Sequence, residues 1–459
     1  MKINLETYPT YKPSGVEWLG EIPEHWEVSR LKNHIDLITG YPFKSEKYTT
    51  EGIKLARGIN VKEGVFNWDE TRYWPALEKH LEDFLLETND ILIGMDGSKV
   101  GKNFCKVKES DLPILLLQRV ARLRANGSLK SDFLFYNFLN KNFLIWVEMS
   151  KTDPMVPHIA PTDIHDFIIP IPPLSEQTAI AAFLDRKTAL IEQAIGIKQK
   201  QIELLKERRQ ILIHKAVTRG IGSLSGVETP NVKLKESGVE WIGEIPEGWE
   251  VKRLKTLLQE GRDGIRIGPF GSSIKSEILK PKGFKIYGQE HVIADDFSIG
   301  EKYIDENDFM RLSNYELFAG DIVITMMGTT GKSKVVPNSI ERGIMDSHLI
   351  RVRTKNNQAK PEFVSFLIND SEYIFDQIKL RGKGSIMEGL NSSIVKSLHL
   401  LLPPLNEQKS ILLYIDEINS KFKITISLKE QEIEKLKEYK ATLINSAVTG
   451  KIKVDNDDK

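Results

Sequence analysis

Apolar residues between positions 184 and 216 recur by alternate steps of four and three, the spacing of one seam on a coiled-coil helix. The seam is Leu184, Thr188, Ile191, Ile195, Lys198, Ile202, Leu205, Arg209, Leu212 and Ala216. A second run repeats it: Ile415, Asn419, Phe422, Ile426, Lys429, Ile433, Leu436, Lys440, Leu443 and Ala447. Even the polar interruptions coincide, Thr188 with Asn419, Lys198 with Lys429 and Arg209 with Lys440. Each run opens after Pro-Pro-Leu. There proline keeps the chain extended, Ser175 or Asn406 is a candidate N-cap, and Glu176 or Glu407 suits the first turn. Gly220 and Gly450 are candidate stops. The pattern predicts two helices of ~44 residues, each roughly 65 Å long at 1.5 Å per residue, paired with each other.

The rest of the chain is duplicated as well. SGVEWLGEIPEHWEVSRLK (14–32) returns as SGVEWIGEIPEGWEVKRLK (237–255), identical at 16 of 19 positions with a shift of 223. PPLSEQ (172–177) returns as PPLNEQ (403–408), and AVT (216–218) as AVT (447–449), both at a shift of 231. Each half therefore reads as opening motif, variable body, long helix. A two-fold relation between halves makes the helix pair antiparallel and the chain a pseudo-dimer.

The bodies, 33–170 and 256–401, keep a common skeleton at shift 231. GIKLARGINV (52–61) aligns with GFKIYGQEHV (283–292), and NDILIGMDG (89–97) with GDIVITMMG (320–328). Short β-like runs, 91–93 and 322–325, lead into glycine-rich loops carrying Lys99 and Lys102 or Lys332 and Lys334. Helical stretches follow at 131–149 and 361–380. Both bodies read as α+β. The eight residues separating the two shifts are expected around GRDGIRIGPFGSS (261–273). Trp18, Trp26, Trp241 and Trp249 fall inside the repeated motif and are expected in scaffold core.

Composition narrows the function class more by exclusion than by suggestion. Across 459 residues 40% are apolar and 28% charged, with 64 basic and 64 acidic side chains. The balance argues against a protein that grips nucleic acid by bulk charge, and leaves local patches to decide. No apolar run approaches the ~18 residues of a membrane span, the N-terminus has no secretory pattern, and the single cysteine, Cys105, fits a reducing cytosol. TMMGTTGKS (325–333) ends like a phosphate-binding loop but has Met326 where that loop requires glycine. No Asn/Asp-Pro-Pro-aromatic loop, HExxH or paired Cys/His spacing is present. No catalytic, metal or cofactor-binding residues are expected.

What remains is recognition. Lysine, arginine, glutamine, serine and histidine on loops suit phosphate anchoring and base-edge contacts. In the first body the candidates are Lys44, Arg57, Lys99, Lys102, Gln118 and Arg119. In the second they are Arg266, Ser272, Ser273, Gln289, His291, Lys332, Lys334 and His348. A charged loop residue is by default only a solvated surface; matched placement in two bodies singles these out.

In its layout the chain resembles the DNA specificity (S) subunits of type I restriction-modification systems. The opening motif (15–32 and 238–255), the PPLxEQ helix starts and the AVTxG-like helix ends carry the likeness across nearly the whole sequence. The resemblance implies two homologous α+β target recognition domains joined by two long antiparallel coiled-coil helices about a pseudo-two-fold. The first domain would span 1–170 and its spacer helix 171–220, followed by a linker at 221–236. The second domain would span 237–401, its helix 402–451 and a polar tail 452–459. It further implies a cytoplasmic, non-catalytic subunit that reads a bipartite, asymmetric site on double-stranded DNA. Two methyltransferase (M) subunits would dock on it, and restriction (R) subunits would join. S-adenosylmethionine, ATP and Mg would belong to those partners. The alternatives are specificity modules of another methyltransferase system, an orphan S subunit, and a coiled-coil scaffold with two ligand-binding domains and no nucleic acid.

Overall fold

The computed structural model describes residues 6–150, 157–224, 233–239, 242–327, 331–382 and 390–454. Trp241, the loop residues 328–330, linker residues 225–232 and tail residues 455–459 lie outside this set. The chain divides into two compact units, residues 1–200 with 429–459, and residues 201–428.

The predicted helices are Leu174–Arg219 and Leu405–Val448. All twenty seam positions are buried or half-buried. Within the first unit the helices run antiparallel, with Lys440 Nζ bonded to Glu192 at 2.7 Å and Lys198 Nζ to Glu432 at 2.5 Å. Within the second unit Arg209 donates to Asn419 Oδ1 at 2.7 Å. Four of the six polar seam positions, Lys198, Arg209, Asn419 and Lys440, thus have partners on the facing helix, the arrangement that fixes register in coiled coils. Thr188 meets Tyr136 instead, and Lys429 pairs with Glu432 of its own helix.

Both helices start one residue before the expected caps. Gln177 N donates to the Pro173 carbonyl and Gln408 N to the Pro404 carbonyl, each at 3.0 Å. The second proline therefore holds the cap position, and Ser175 and Asn406 lie inside the first turn. Gly220 and Gly450 do terminate the helices, at φ +77° and +73°.

The bodies share one topology. In the first, β1 (Ile35–Thr39), β2 (Ile53–Ala56), β3 (Tyr73–Trp74), β4 (Ile91–Gly94), β5 (Phe104–Lys106), β6 (Ile114–Leu116) and β7 (Val120–Ala125) form sheets ordered β5-β4-β7-β1 and β6-β2-β3. In the second, β8 (Ile265–Ile267), β9 (Phe284–Tyr287), β10 (Tyr303–Ile304), β11 (Ile322–Thr325), β12 (Ser333–Val335), β13 (Gly343–Met345) and β14 (Leu349–Val352) form β12-β11-β14-β8 and β13-β9-β10. Strands β4 and β11 are buried at every position, as expected for apolar runs covered on both faces. The expected helical stretches are each two helices, Ser131–Leu139 with Lys141–Ser150, and Pro361–Asp370 with Glu372–Gly382.

The shift of 231 holds at β4 and β11 but not throughout. Ile91 faces Leu123 and Ile322 faces Val352, a shift of 229 for the partner strands. The eight extra residues are likewise divided. Gly40 N bonds the Val120 carbonyl and Gly268 N the Leu349 carbonyl, so Gly40 and Gly268 correspond at a shift of 228. Five of the eight therefore precede Gly268, in the segment containing the 3-10 turn Gly261–Asp263. The other three fall between Gly268 and Gly283.

Each repeated motif forms a latch. The Trp26 indole donates to Glu176 Oε2 at 3.0 Å, and the Trp249 indole to Glu407 Oε2 at 3.0 Å. Both rings are fully buried, which answers the usual need of a buried indole N–H for an acceptor. The next residue completes the joint. Gln177 accepts from Lys130 N and donates to the Ser128 and Pro172 carbonyls; Gln408 accepts from Lys360 N and donates to the Gln358 and Pro403 carbonyls. PPLxEQ is thus a helix start whose last two side chains tie the body to the helix. Each latch also meets the end of the other half's long helix. Gly450 lies against Pro23 and Trp26, and Gly220 against Glu407 and Trp249. Ile452 and Val454, assigned by sequence to a polar tail, are buried beside the first latch, where Lys453 N bonds the Glu6 carbonyl.

Candidate nucleic-acid interface

In each body one end of the four-stranded sheet gathers at least half of the candidate side chains. The chain leaves β4 at Gly94 and returns into β7 through a turn at Gln118 and Arg119. Met95 N bonds the Arg119 carbonyl at 3.0 Å, and Arg119 takes the left-handed conformation at φ +68°. The turn is held to the loop after β1 by Gln118 N donating to the Tyr41 carbonyl. Gln118, Arg119, Lys44, Lys99 and Lys102 are exposed on these neighbouring loops. Arg119 Nε lies 3.4 Å from Asp96, which also pairs with His158, and Lys99 pairs with Glu63 at 3.3 Å. Arg57 is different. It is half-buried, and its guanidinium donates to Asn60 Oδ1 and to the Glu70 carbonyl, so it shapes its own loop.

The second body repeats the construction: Met326 N bonds the His348 carbonyl at 3.0 Å. His348 is exposed, with Asp346 Oδ2 and Ser347 Oγ each 3.4 Å from Nδ1. Burial pushes the Asp346 carboxyl above its ordinary range, while the contacts with His348 pull it back. Gln289 is half-buried and accepts from Met327 N at 3.2 Å. Ser272 and Ser273 lie on the loop after β8, where a Cβ added to Gly271 would sit 3.9 Å from Ser347 Oγ. This loop therefore abuts the His348 turn.

Four candidates fall elsewhere. His291 is 1% exposed, and its ring bonds the Gly288 amide and the Ile299 carbonyl. Proximity to a loop misled the sequence reading here, because the ring is turned inward to brace the turn. Lys334 is paired with Asp295 at 2.5 Å. Lys332 is exposed beside a hollow lined by Gln210, His214 and Asn369. Arg266 lies on the sheet edge.

Sequence reasoning passed over Asp96 and His158, whose approach depends on a segment some 60 residues away, and also Phe270. A Pro-Phe pair follows the corresponding glycine in both bodies. Phe43 is 5% exposed and packs 4.8 Å from Trp74, whereas Phe270 is 85% exposed. Repetition of Pro-Phe was the available signal, though its two outcomes depend on tertiary packing. Exposed guanidinium, imidazole, amide and hydroxyl groups on adjoining loops can bond phosphate oxygens and base edges. Among the described residues no group of three or more His, Cys, Asp or Glu could hold a metal ion, and no helix is long and apolar enough to cross a membrane.

Comparison with known proteins gives a consistent result. The profile of the type I restriction modification DNA specificity domain matches residues 23–207 and again 246–438. The MjaVIII type I restriction enzyme specificity subunit of Methanocaldococcus jannaschii is 25% identical, with 95% of each chain covered. The EcoAI specificity subunit of Escherichia coli is 32% identical over 43% of this chain and 33% of its own. Among solved structures, a chain of a type I R-M system studied for complex assembly and conformational transition aligns with TM-score 0.67 at 15% identity. It covers 93% of this chain and 98% of that one. The HsdS subunit from Thermoanaerobacter tengcongensis aligns with TM-score 0.56 at 16% identity, covering 94% and 98%.

Proposed function

The chain belongs to the DNA specificity family of type I restriction-modification systems, and from that premise we propose how its residues divide the work. It is the DNA-recognition subunit. Each body reads one half of a bipartite, asymmetric site on double-stranded DNA, and the paired helices set the unspecified gap between the halves. Two methyltransferase subunits dock on the duplicated frame and restriction subunits join them. S-adenosylmethionine, ATP and Mg act in those partners, in the cytoplasm, and this chain performs no chemistry itself.

One observation carries the reading. The bodies share a strand order and the Trp–Glu and Gln bonds of the latch, yet present different side chains where the sheets open into loops: Gln118 and Arg119 in one, Ser347 and His348 in the other. A constant frame with variable tips reads two unlike sequences in one geometry.

The test is to map methylated adenines genome-wide with this gene, without it, and with residues 33–170 replaced by the corresponding body of a relative. The replacement is expected to change one half-site and leave the other half-site and the gap intact. Inserting one heptad into both long helices is expected to change only the gap. A body swap that altered both half-sites would sink the division of labour.

A further inference from the structure

One of the two edge strands of each four-stranded sheet is β1 in the first body and β8 in the second. A hollow runs along each edge. It is lined by 37–39 in the first body and Ile265–Ile267 in the second, the positions related by the shift of 228. The same short helix closes both, through Pro161 and His165 or through Ser392 and Lys396, at a shift of 231. The volumes are similar, about 810 and 750 Å³. The charges are not. In the first hollow Asp36, Glu82, Asp83 and Glu87 outnumber Arg122 and Arg124. In the second, Lys255, Arg266, Lys355 and Lys396 face a single carboxylate among the described lining residues, Glu260.

The strand register shows how the sign was reversed. In the first body Arg122 lies opposite Ile38, and Asp36 on the edge strand accepts from its guanidinium. In the second, Arg351 takes the place of Arg122, Arg266 takes the place of Ile38, and Gly264 stands where Asp36 would be. Arg266 and Arg351 are directly opposite, and like charges so placed oppose sheet formation. Arg351 is 1% exposed. Its Nη1 donates to the Asn314 and Glu316 carbonyls, but its Nε and Nη2 find no hydrogen-bond acceptor among the described residues. Asp263 approaches Nη2 only to 3.7 Å. Arg266 Nε also lacks an acceptor among the described residues. Burial, with Arg353 and Arg266 nearby, pushes the Arg351 guanidinium down to about 10. Asp263 thus replaces Asp36 only at a distance, 3.7 Å from Arg351 and 3.8 Å from Arg353, while a second arginine stands opposite the first, and the edge is left with an excess of positive charge.

We propose that the edge hollow of the second body is a phosphodiester site, in which Arg266, Lys255 and Lys396 hold the DNA backbone beside the half-site that this body reads, and that the first body has no counterpart. The inference rests on the DNA-reading function above. Arginine forks match phosphate oxygens in geometry and charge, and a bound phosphate would relieve the repulsion between the two arginines.

The experiment uses the full chain assembled with its methyltransferase subunits on a duplex carrying the methylated site. It compares wild type with Arg266→Ile, the residue of the first body, and with Lys396→Gln. Losing one or two phosphate contacts should lower the slope of log Kobs against log[salt] by about 1–2, at ~0.9 per phosphate. The methylated sequence should stay the same. The thermal midpoint of Arg266→Ile should hold or rise, because a like-charge pair has gone. An unchanged slope overturns the site, and so does a fall in midpoint that tracks the affinity, which would make Arg266 a structural residue. Inorganic phosphate supplies the second arm. If it raises the wild-type midpoint while the DNA slope is the same in both variants, the hollow takes a free anion and the proposal fails. A wild-type complex with no salt-dependent, sequence-specific binding would instead overturn the function itself.

Discussion

At the base of the first body Glu176 accepts from the Trp26 indole, and at the base of the second Glu407 accepts from Trp249, both at 3.0 Å. At the open sheet edges the corresponding residues carry opposite charge, Asp36 with Ile38 in one and Gly264 with Arg266 in the other. The two regions tolerate change differently for a physical reason. A buried indole N–H and a buried glutamine amide have fixed partners, and losing one leaves a polar group unsatisfied. An edge strand is paired on one side only, so its outward side chains can change without breaking the ladder. Duplication therefore preserved what holds body to helix and released what faces outward.

The largest effects should come from the part that did not diverge. Trp26→Ala and Trp249→Ala each remove a fully buried indole and should cost about 3–5 kcal/mol, measured by urea unfolding of the full chain. A large loss from one and little from the other would break the equivalence of the latches. Next come the ion pairs under the sheets. Arg124 bonds both oxygens of Asp90, and Arg353 both oxygens of Asp321; the Asp90 and Asp321 side chains are 1% and 4% exposed. Removing one partner of such a pair costs about 3–5 kcal/mol. Asp321→Ala should sit at the upper end and Asp90→Ala at the lower, because Arg124 keeps Glu87 at 2.6 Å whereas Arg353 keeps Asp263 only at 3.8 Å, with Arg266 and Arg351 beside it. Equal losses would show that the extra charge is already screened. The helix stops give a smaller contrast. Alanine at either glycine faces a left-handed φ, a cost of about 1–2 kcal/mol. At Gly220 the added Cβ meets the movable Glu407 Oε1 at 2.9 Å, whereas at Gly450 it meets the Pro23 ring, with Cγ at 2.6 Å, and Trp26 at 3.0 Å. Gly450→Ala should therefore lower the melting midpoint further than Gly220→Ala.

Legibility followed the range of the interactions. The long helices could be read because a seam is a local period, and the identical spacing of Lys198 and Lys429 in their runs predicted a partnered seam before any partner was visible. The shared strand order was foreshadowed by repeated runs such as ILIG and IVIT. PPLxEQ was visible as a motif, yet its purpose was not. Cap preferences pointed to Ser175, while Glu176 is fixed by Trp26, 150 positions away. On the loops, sequence alone could not separate His348, exposed on its turn, from His291, sealed against the Ile299 carbonyl. Which side of a turn a ring occupies is decided by what packs behind it. The opposite signs of the two edges were hidden for a related reason: the shift there is 228, neither of the two values that the repeats supply.

The smallest expected difference lies inside the latch itself. Glu176 accepts from the Tyr8 hydroxyl at 2.7 Å and meets His25 at 2.6 Å, besides Trp26. The position of His25 is taken by Gly248 in the second body, where Trp249 is the one side-chain partner of Glu407 recorded among the described residues. Burial acts to raise the Glu176 carboxyl, but the bonds from Tyr8, Trp26 and His25 outweigh it and hold the group below its ordinary range. A carboxylate depressed on folding adds stability above the usual glutamate range, and that stability is lost as pH falls through it. The melting midpoint of the wild-type chain should therefore fall on acidification partly through Glu176. Glu176→Gln should lower the midpoint at neutral pH and flatten its fall below the glutamate range. A variant whose acid limb stayed as steep as wild type would show that Glu176 is held by shape alone, and the two latches would then be alike in energy as well as in geometry.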